Sequence, residues 1–204
     1  MTKLDLKKVY REVFNPPSHT FVEVTPPTMP FVKVDGAGDP NSAAAYRTAV
    51  EWLYSVSYAM KFAAKDVLTR DYVVPPLEAL WWSDDPGSFV RREKERWQWT
   101  VMIMAPDFVT GAMFEDAMTK TLTKRNDCPS SLRFEPYAES RSLQIMHIGS
   151  YDDEGPVLKR LHDDVMPGLD VTFDGPHHEV YLSDPRKTEP AKLKTILRQP
   201  IRNV

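Results

Sequence analysis

The chain of 204 residues, 42% hydrophobic and 11% aromatic, carries enough apolar material to build its own core, which excludes a disordered chain. Its net charge of −3, with no long run of Lys or Arg, excludes the electrostatic footprint of a direct nucleic-acid binder. The single cysteine, Cys128, can form neither an internal disulfide nor a thiolate metal site.

The first ten residues carry charges where a signal peptide needs an apolar core. No stretch approaches the roughly 18 apolar residues of a membrane span, so the expected setting is cytoplasmic. Asn15-Pro16-Pro17 closes an entry arm anchored by Tyr10 and Phe14. Phe21–Val24 and Phe31–Val34 alternate apolar and charged residues and predict strands with one wet face. Gly36 to Asn41 is a turn and not a nucleotide fingerprint, because the glycines lack the GxGxxG spacing.

From Ser42 to about Leu68, apolar residues at 45, 49, 52, 53, 56, 60, 63 and 67 predict one helix face. Arg91 to Arg96 is mixed in sign and reads as the solvated tip of a hairpin whose second strand is Trp97–Met104. Thr110 can cap a second helix reaching about Lys124. Strands follow at 132–137 and 143–148, and Glu154-Gly-Pro156 opens a third helix, where an early proline suits the unpaired donors. Residues 188–198 predict a short terminal helix with Leu193, Ile196 and Leu197 facing inward.

One strand is written twice. Pro75-Pro-Leu-Glu-Ala-Leu-Trp-Trp-Ser-Asp84 and Pro176-His-His-Glu-Val-Tyr-Leu-Ser-Asp184 each place a proline three residues before a glutamate, and Ser-Asp closes both. Glu78 and Glu179 are therefore expected to occupy equivalent positions in pseudo-repeats of about 21–124 and 132–186 within a single domain. Strand alternation puts Glu179 on the face of His177 and Tyr181, and Glu78 on the face of Leu80 and Trp82. Adjacent His177 and His178 point to opposite faces, so no metal site is expected. No covalent nucleophile stands out, since a Gly-x-Ser-x-Gly elbow is absent from the sequence.

A glutamate among aromatics is costly unless paired or functional. Cross-sheet ion pairs with Lys or Arg are one explanation for Glu78 and Glu179. The other is a cleft suited to flat, aromatic or cationic ligands. On that reading Glu179, Glu78 and Tyr181 are the candidate catalytic residues, and Trp82, Trp81, Tyr58, Tyr137 and His147 the candidate ligand contacts. No cofactor is expected, and the oligomeric state is not encoded in any pattern of the sequence.

The helix stretch Glu51-Trp-Leu-Tyr-Ser-Val-Ser-Tyr58 with Lys61-Phe62, the strand Pro-Pro-Leu-Glu-Ala-Leu-Trp-Trp82, and the closing Glu179-Val-Tyr-Leu-Ser-Asp-Pro-Arg186 together resemble the GyrI-like small-molecule-binding family. The resemblance runs from about Phe21 to Arg186. It implies an α+β fold of duplicated half-units, with antiparallel sheets and helices around a central ligand cleft, and a ligand contact at Glu179. Family members include effector domains of transcription regulators, gyrase inhibitors, and stand-alone hydrolases of cyclopropane-bearing genotoxins. With no helix-turn-helix segment in this sequence, hydrolysis or sequestration of a small molecule is the expected output.

Overall fold

A computed structural model describes residues 2–204. In chain order its elements begin with two short helical turns, α1 (Leu6–Val9) and α2 (Arg11–Phe14), then β1 (Val22–Val24) and β2 (Met29–Ala37). Next come α3 (Ala44–Leu68), β3 (Leu77–Trp82), α4 (Gly87–Val90), β4 (Gln98–Met104), α5 (Gly111–Leu122) and β5 (Arg133–Tyr137). The rest is β6 (Ser142–Ile148), α6 (Gly155–Arg160), a π-helical turn Leu161–Val165, α7 (Met166–Gly168), β7 (Val171–Phe173), β8 (His177–Tyr181) and β9 (Lys194–Asn203). The fold is α+β, with antiparallel strand pairing throughout each of the sheets described below. Two compact units emerge: the residues up to Val9 with Thr28–Tyr137, and Tyr10–Pro27 with Ala138–Val204.

In the first unit the strand order is β3-β4-β2-β5, α3 lies against it, and α5 packs on α3. Ala49, Trp52, Leu53, Val56, Met60 and Ala64 form the buried stripe of α3, matching the predicted positions from 49 to 60, whereas Ala45 is exposed and Ala64, not the half-buried Ala63, completes the stripe. Val67, expected on that stripe, is exposed because the helix ends one residue later, with Thr69 in a left-handed cap. The Thr110 hydroxyl accepts from the Met113 amide, as a cap should. Trp99 lies flat against Gly36, where a Cβ would stand only 2.2 Å from the ring, so that position admits no side chain. The charged run joining β3 to β4 is a surface ion network, with Arg91 bonded to Asp85 and Glu93 at 2.5 and 2.8 Å.

In the second unit the order is β1-β6-β9-β8, and β7 pairs with the far end of β9. One face carries α6 to α7, whose Leu161 and Met166 pack on Leu143, Val171 and Ile201. The other face holds a buried polar network. Arg198 Nη1 donates to Glu139 Oε2 at 2.9 Å, its Nε and Nη2 to Gln144 Oε1, and Nη2 also to the Val13 carbonyl. His178 Nδ1 donates to Glu139 Oε1 at 2.7 Å, and Gln144 Nε2 to the Glu12 carbonyl. These bonds dock the α2 segment on the sheet, so almost every buried charge there has a partner.

Three expectations need correction. The terminal stretch predicted as a helix over 188–198 is strand β9, with a single 3-10 turn at Pro190–Lys192 before it. It is buried without a break from Thr195 to Ile201 because it is flanked by β6 and β8. The repeat boundary at 21 also moves: β1 pairs with β6 and belongs to the second unit, while β5 edges the sheet of the first. Lastly, Glu78 and Glu179 are not equivalent. Glu78 pairs in register with Met102, on the sheet face opposite Trp81 and Trp99, the residues that meet Tyr46 of α3. Glu179 pairs with Leu197, on the face shared with Leu143 and Ile201, which the α6–α7 segment covers. A one-residue offset in register turns every side chain to the other face, and the two written copies differ by that offset.

Candidate functional site

The second unit gathers titratable groups at the head of α6. Across three strands His147, Thr195 and Tyr181 form one row, and Ile145, Leu197 and Glu179 the next. Tyr181 and Glu179 thus share a face, as their spacing of two requires. The Tyr181 hydroxyl donates to Glu179 Oε2 at 2.7 Å. His177 stands on the same face with Nε2 3.5 Å from Glu179 Oε1, outside good hydrogen-bond geometry.

Glu154 enters this group from the residue just before α6. It is 6% exposed. Burial, then the charges of Glu179 and Asp152, push its carboxyl far above the usual range, and the Thr195 hydroxyl beside it offsets this only weakly. Its surroundings therefore favour the protonated form. Tyr151 lies one turn earlier, its ring edge-on to Tyr181 with centroids 5.7 Å apart. Burial and the negative charge of Glu179, Glu154 and Asp184 push the Tyr151 phenol up to about 12, so it stays neutral.

Polar atoms here are short of partners. Glu154 Oε1, Thr195 Oγ1, His162 Nε2 and both ring nitrogens of His177 are buried without a hydrogen bond of good geometry. His162 comes from the π-helical turn, packs on Phe173 at 5.0 Å, and is held below the usual imidazole range by burial and by His177. Native interiors satisfy about 90% or more of such groups, so five such atoms in this unit set it apart as the candidate site. Among the described residues no group of three or more His, Cys, Asp or Glu could hold a metal ion. No described helix is long and apolar enough to cross a membrane.

Of the residues the sequence singles out, Glu179, Tyr181 and His147 belong to this unit. His147 does not stand free as a ligand contact: its Nε2 donates to the Ser150 carbonyl at 3.0 Å. Glu78, Trp81, Trp82, Tyr58 and Tyr137 all belong to the first unit. Glu78 is buried in β3, and Trp82 is half-buried on the same face at the strand end. Trp81 is buried, stacked on Tyr46 at 6.1 Å and edge-on to Trp97. Tyr58 is 47% exposed in a row with Tyr54 and Phe62 along α3. Tyr137 stands edge-on to Phe31, with the Lys33 ammonium 5.1 Å from its ring. Glu154 and Tyr151 escape sequence reasoning, although the acidic run Asp152-Asp153-Glu154 between a strand end and Gly-Pro is a signal that could have found them.

A model of the family described as GyrI-like, the GyrI-like small molecule binding domain, matches residues 20–202. An uncharacterized conserved protein from Listeria innocua has a solved structure that superposes with a TM-score of 0.89 at 35% identity, over 98% of this chain and 100% of that one. Two solved structures described as hydrolases from Listeria innocua superpose with TM-scores of 0.86 and 0.83 at 34% and 35% identity, again over 98% of this chain and 100% of theirs. No curated protein matches the chain.

Proposed function

The chain belongs to the GyrI-like small-molecule-binding domain family, and from that premise we propose that it hydrolyses a planar, electrophilic small molecule at the Glu154–Glu179 site. The observation that carries this reading is the difference in surroundings between two neighbouring carboxyls: Glu154 is buried, which favours its protonated form, and Glu179 is hydrogen-bonded by a phenol. A buried carboxyl beside a hydrogen-bonded one suits the roles of acid and base. Two similar structures described as hydrolases support it further.

The substrate class is what the resemblance to family members that hydrolyse cyclopropane-bearing genotoxins implies, and the carboxyl pair suits its chemistry. A strained cyclopropane conjugated to a carbonyl is already electrophilic. Glu179 takes a proton from water as the water oxygen bonds to a ring carbon. The ring C–C bond breaks, its electron pair moves into the conjugated carbonyl, and Glu154 delivers its proton to the developing oxyanion. Product release leaves Glu179 protonated and Glu154 ionised, and exchange with solvent resets both. Tyr181 supplies ring surface for a flat substrate.

The test is turnover of a conjugated cyclopropyl ketone in large excess, followed by mass spectrometry of the water-added product. Many equivalents per protein are expected, with Glu179→Gln slower by about 100-fold or more. Protection of one equivalent with no product would overturn hydrolysis in favour of sequestration.

A further inference from the structure

We infer that Tyr151 is a ligand-contacting residue of this site and that His147 is its positioning residue, acting through the Ser150 carbonyl. The inference rests on reading the Glu154–Glu179 group as the ligand site, and it is independent of turnover.

Tyr151 is 39% exposed, yet it touches the centre of the group. Its ring meets that of Tyr181 at 78°, so the two rings form the walls of a corner. A planar ligand lying on one wall presents its edge to the other, the arrangement in which aromatic quadrupoles attract. The Tyr151 hydroxyl, kept neutral by burial and the surrounding carboxyls, remains a donor there.

Tyr151 sits on a three-residue turn, Tyr151–Asp153, that has little packing of its own. Four bonds hold the approach to it. The Gly149 amide donates to the Leu193 carbonyl at 3.0 Å, the Ser150 hydroxyl to Asp153 Oδ2 at 2.6 Å, the Asp153 amide to the Ser150 carbonyl at 3.0 Å, and His147 Nε2 to that same carbonyl at 3.0 Å. Of these only the last ties the residue next to Tyr151 to the floor of the site, because His147 is in the row of Thr195 and Tyr181. Gly149 supports this contact. Its φ is +150°, and a Cβ at this position would stand 3.1 Å from His147 Nε2, a tight contact that would press on the bonded ring. His147 is itself 7% exposed, so it is a buried strut under the turn.

Ethidium, a planar aromatic cation, is the probe, with affinity read by fluorescence and folding checked by circular dichroism. Tyr151→Ala is expected to weaken binding at least about fivefold. His147→Ala should weaken it by a similar factor, the double substitution should be no worse than either single one, and His147→Gln, which can still donate to the carbonyl, should recover most of the loss. Unchanged binding in Tyr151→Ala, additive losses in the double variant, or no recovery in His147→Gln would each overturn the inference. If His147→Ala does not fold, His147→Gln against His147→Asn, whose shorter amide falls short of the carbonyl, carries the same comparison. Failure of the site reading looks different: the wild type would bind no ethidium, or Glu179→Gln would bind it unchanged, and the inference would fall with that reading.

Discussion

Tyr181 donates a 2.7 Å hydrogen bond to Glu179 two residues earlier on the same face of β8. The bond fixes one carboxylate oxygen and leaves the other toward His177, 3.5 Å away. A base must be held as well as present, since small misplacements of a reacting group are costly. Tyr181→Phe keeps the ring and removes the bond. Hydrogen bonds to charged groups contribute about 1.5–3 kcal/mol, so kcat should fall roughly 10- to 100-fold, while ethidium affinity changes little. Steady-state kinetics with the cyclopropyl ketone checks this, and an unchanged kcat would remove Tyr181 from the positioning of the base.

Acid stability should report the network on the opposite face of the same sheet. Burial acts to raise the Glu139 carboxyl, but the charges and hydrogen bonds of His178 and Arg198 outweigh it and hold the group down at about 2. A depressed carboxyl contributes stability that is present above its unfolded value, near 4.5, and is lost as pH falls through its folded value. Urea unfolding should therefore show stability falling between about pH 4.5 and 2, with that slope reduced in Glu139→Gln. At neutral pH, Glu139→Ala leaves Arg198 buried without its partner and should cost about 3–5 kcal/mol. A loss under about 1 kcal/mol at neutral pH would mean that water replaces the pair.

Much of this architecture is legible in the residues, and the failures have physical causes. The stripe from Ala49 to Ala64 on α3 is a period that only a helix satisfies. Glu179 and Tyr181 share a face by strand alternation alone. By contrast, Ile196-Leu197 within a short apolar run fits helix and buried strand equally, and neighbours on both sides decide it. The repeated Pro-x-x-Glu motif conceals a register offset, because pairing partners and not motif spacing choose the face. Glu154 reads locally as a helix start. Its burial comes from β8, β9 and its own turn closing around it, which no window of sequence contains.

Everything proposed for the chemistry depends on one carboxyl of the pair keeping its proton at neutral pH. Carbon-13 NMR of protein labelled at the glutamate δ-carboxyl measures that directly, with Glu154→Gln to assign the signal. At pH 7 one buried glutamate is expected to show the shift of a neutral carboxyl, to titrate only in alkaline solution, and to vanish in Glu154→Gln. Stability by urea unfolding should also fall as pH rises from about 4.5 toward that alkaline value, because the unfolded chain releases a proton that the folded one retains, and Glu154→Gln should flatten the decline. A spectrum in which every glutamate, Glu154 included, is ionised by pH 6 would contradict the account.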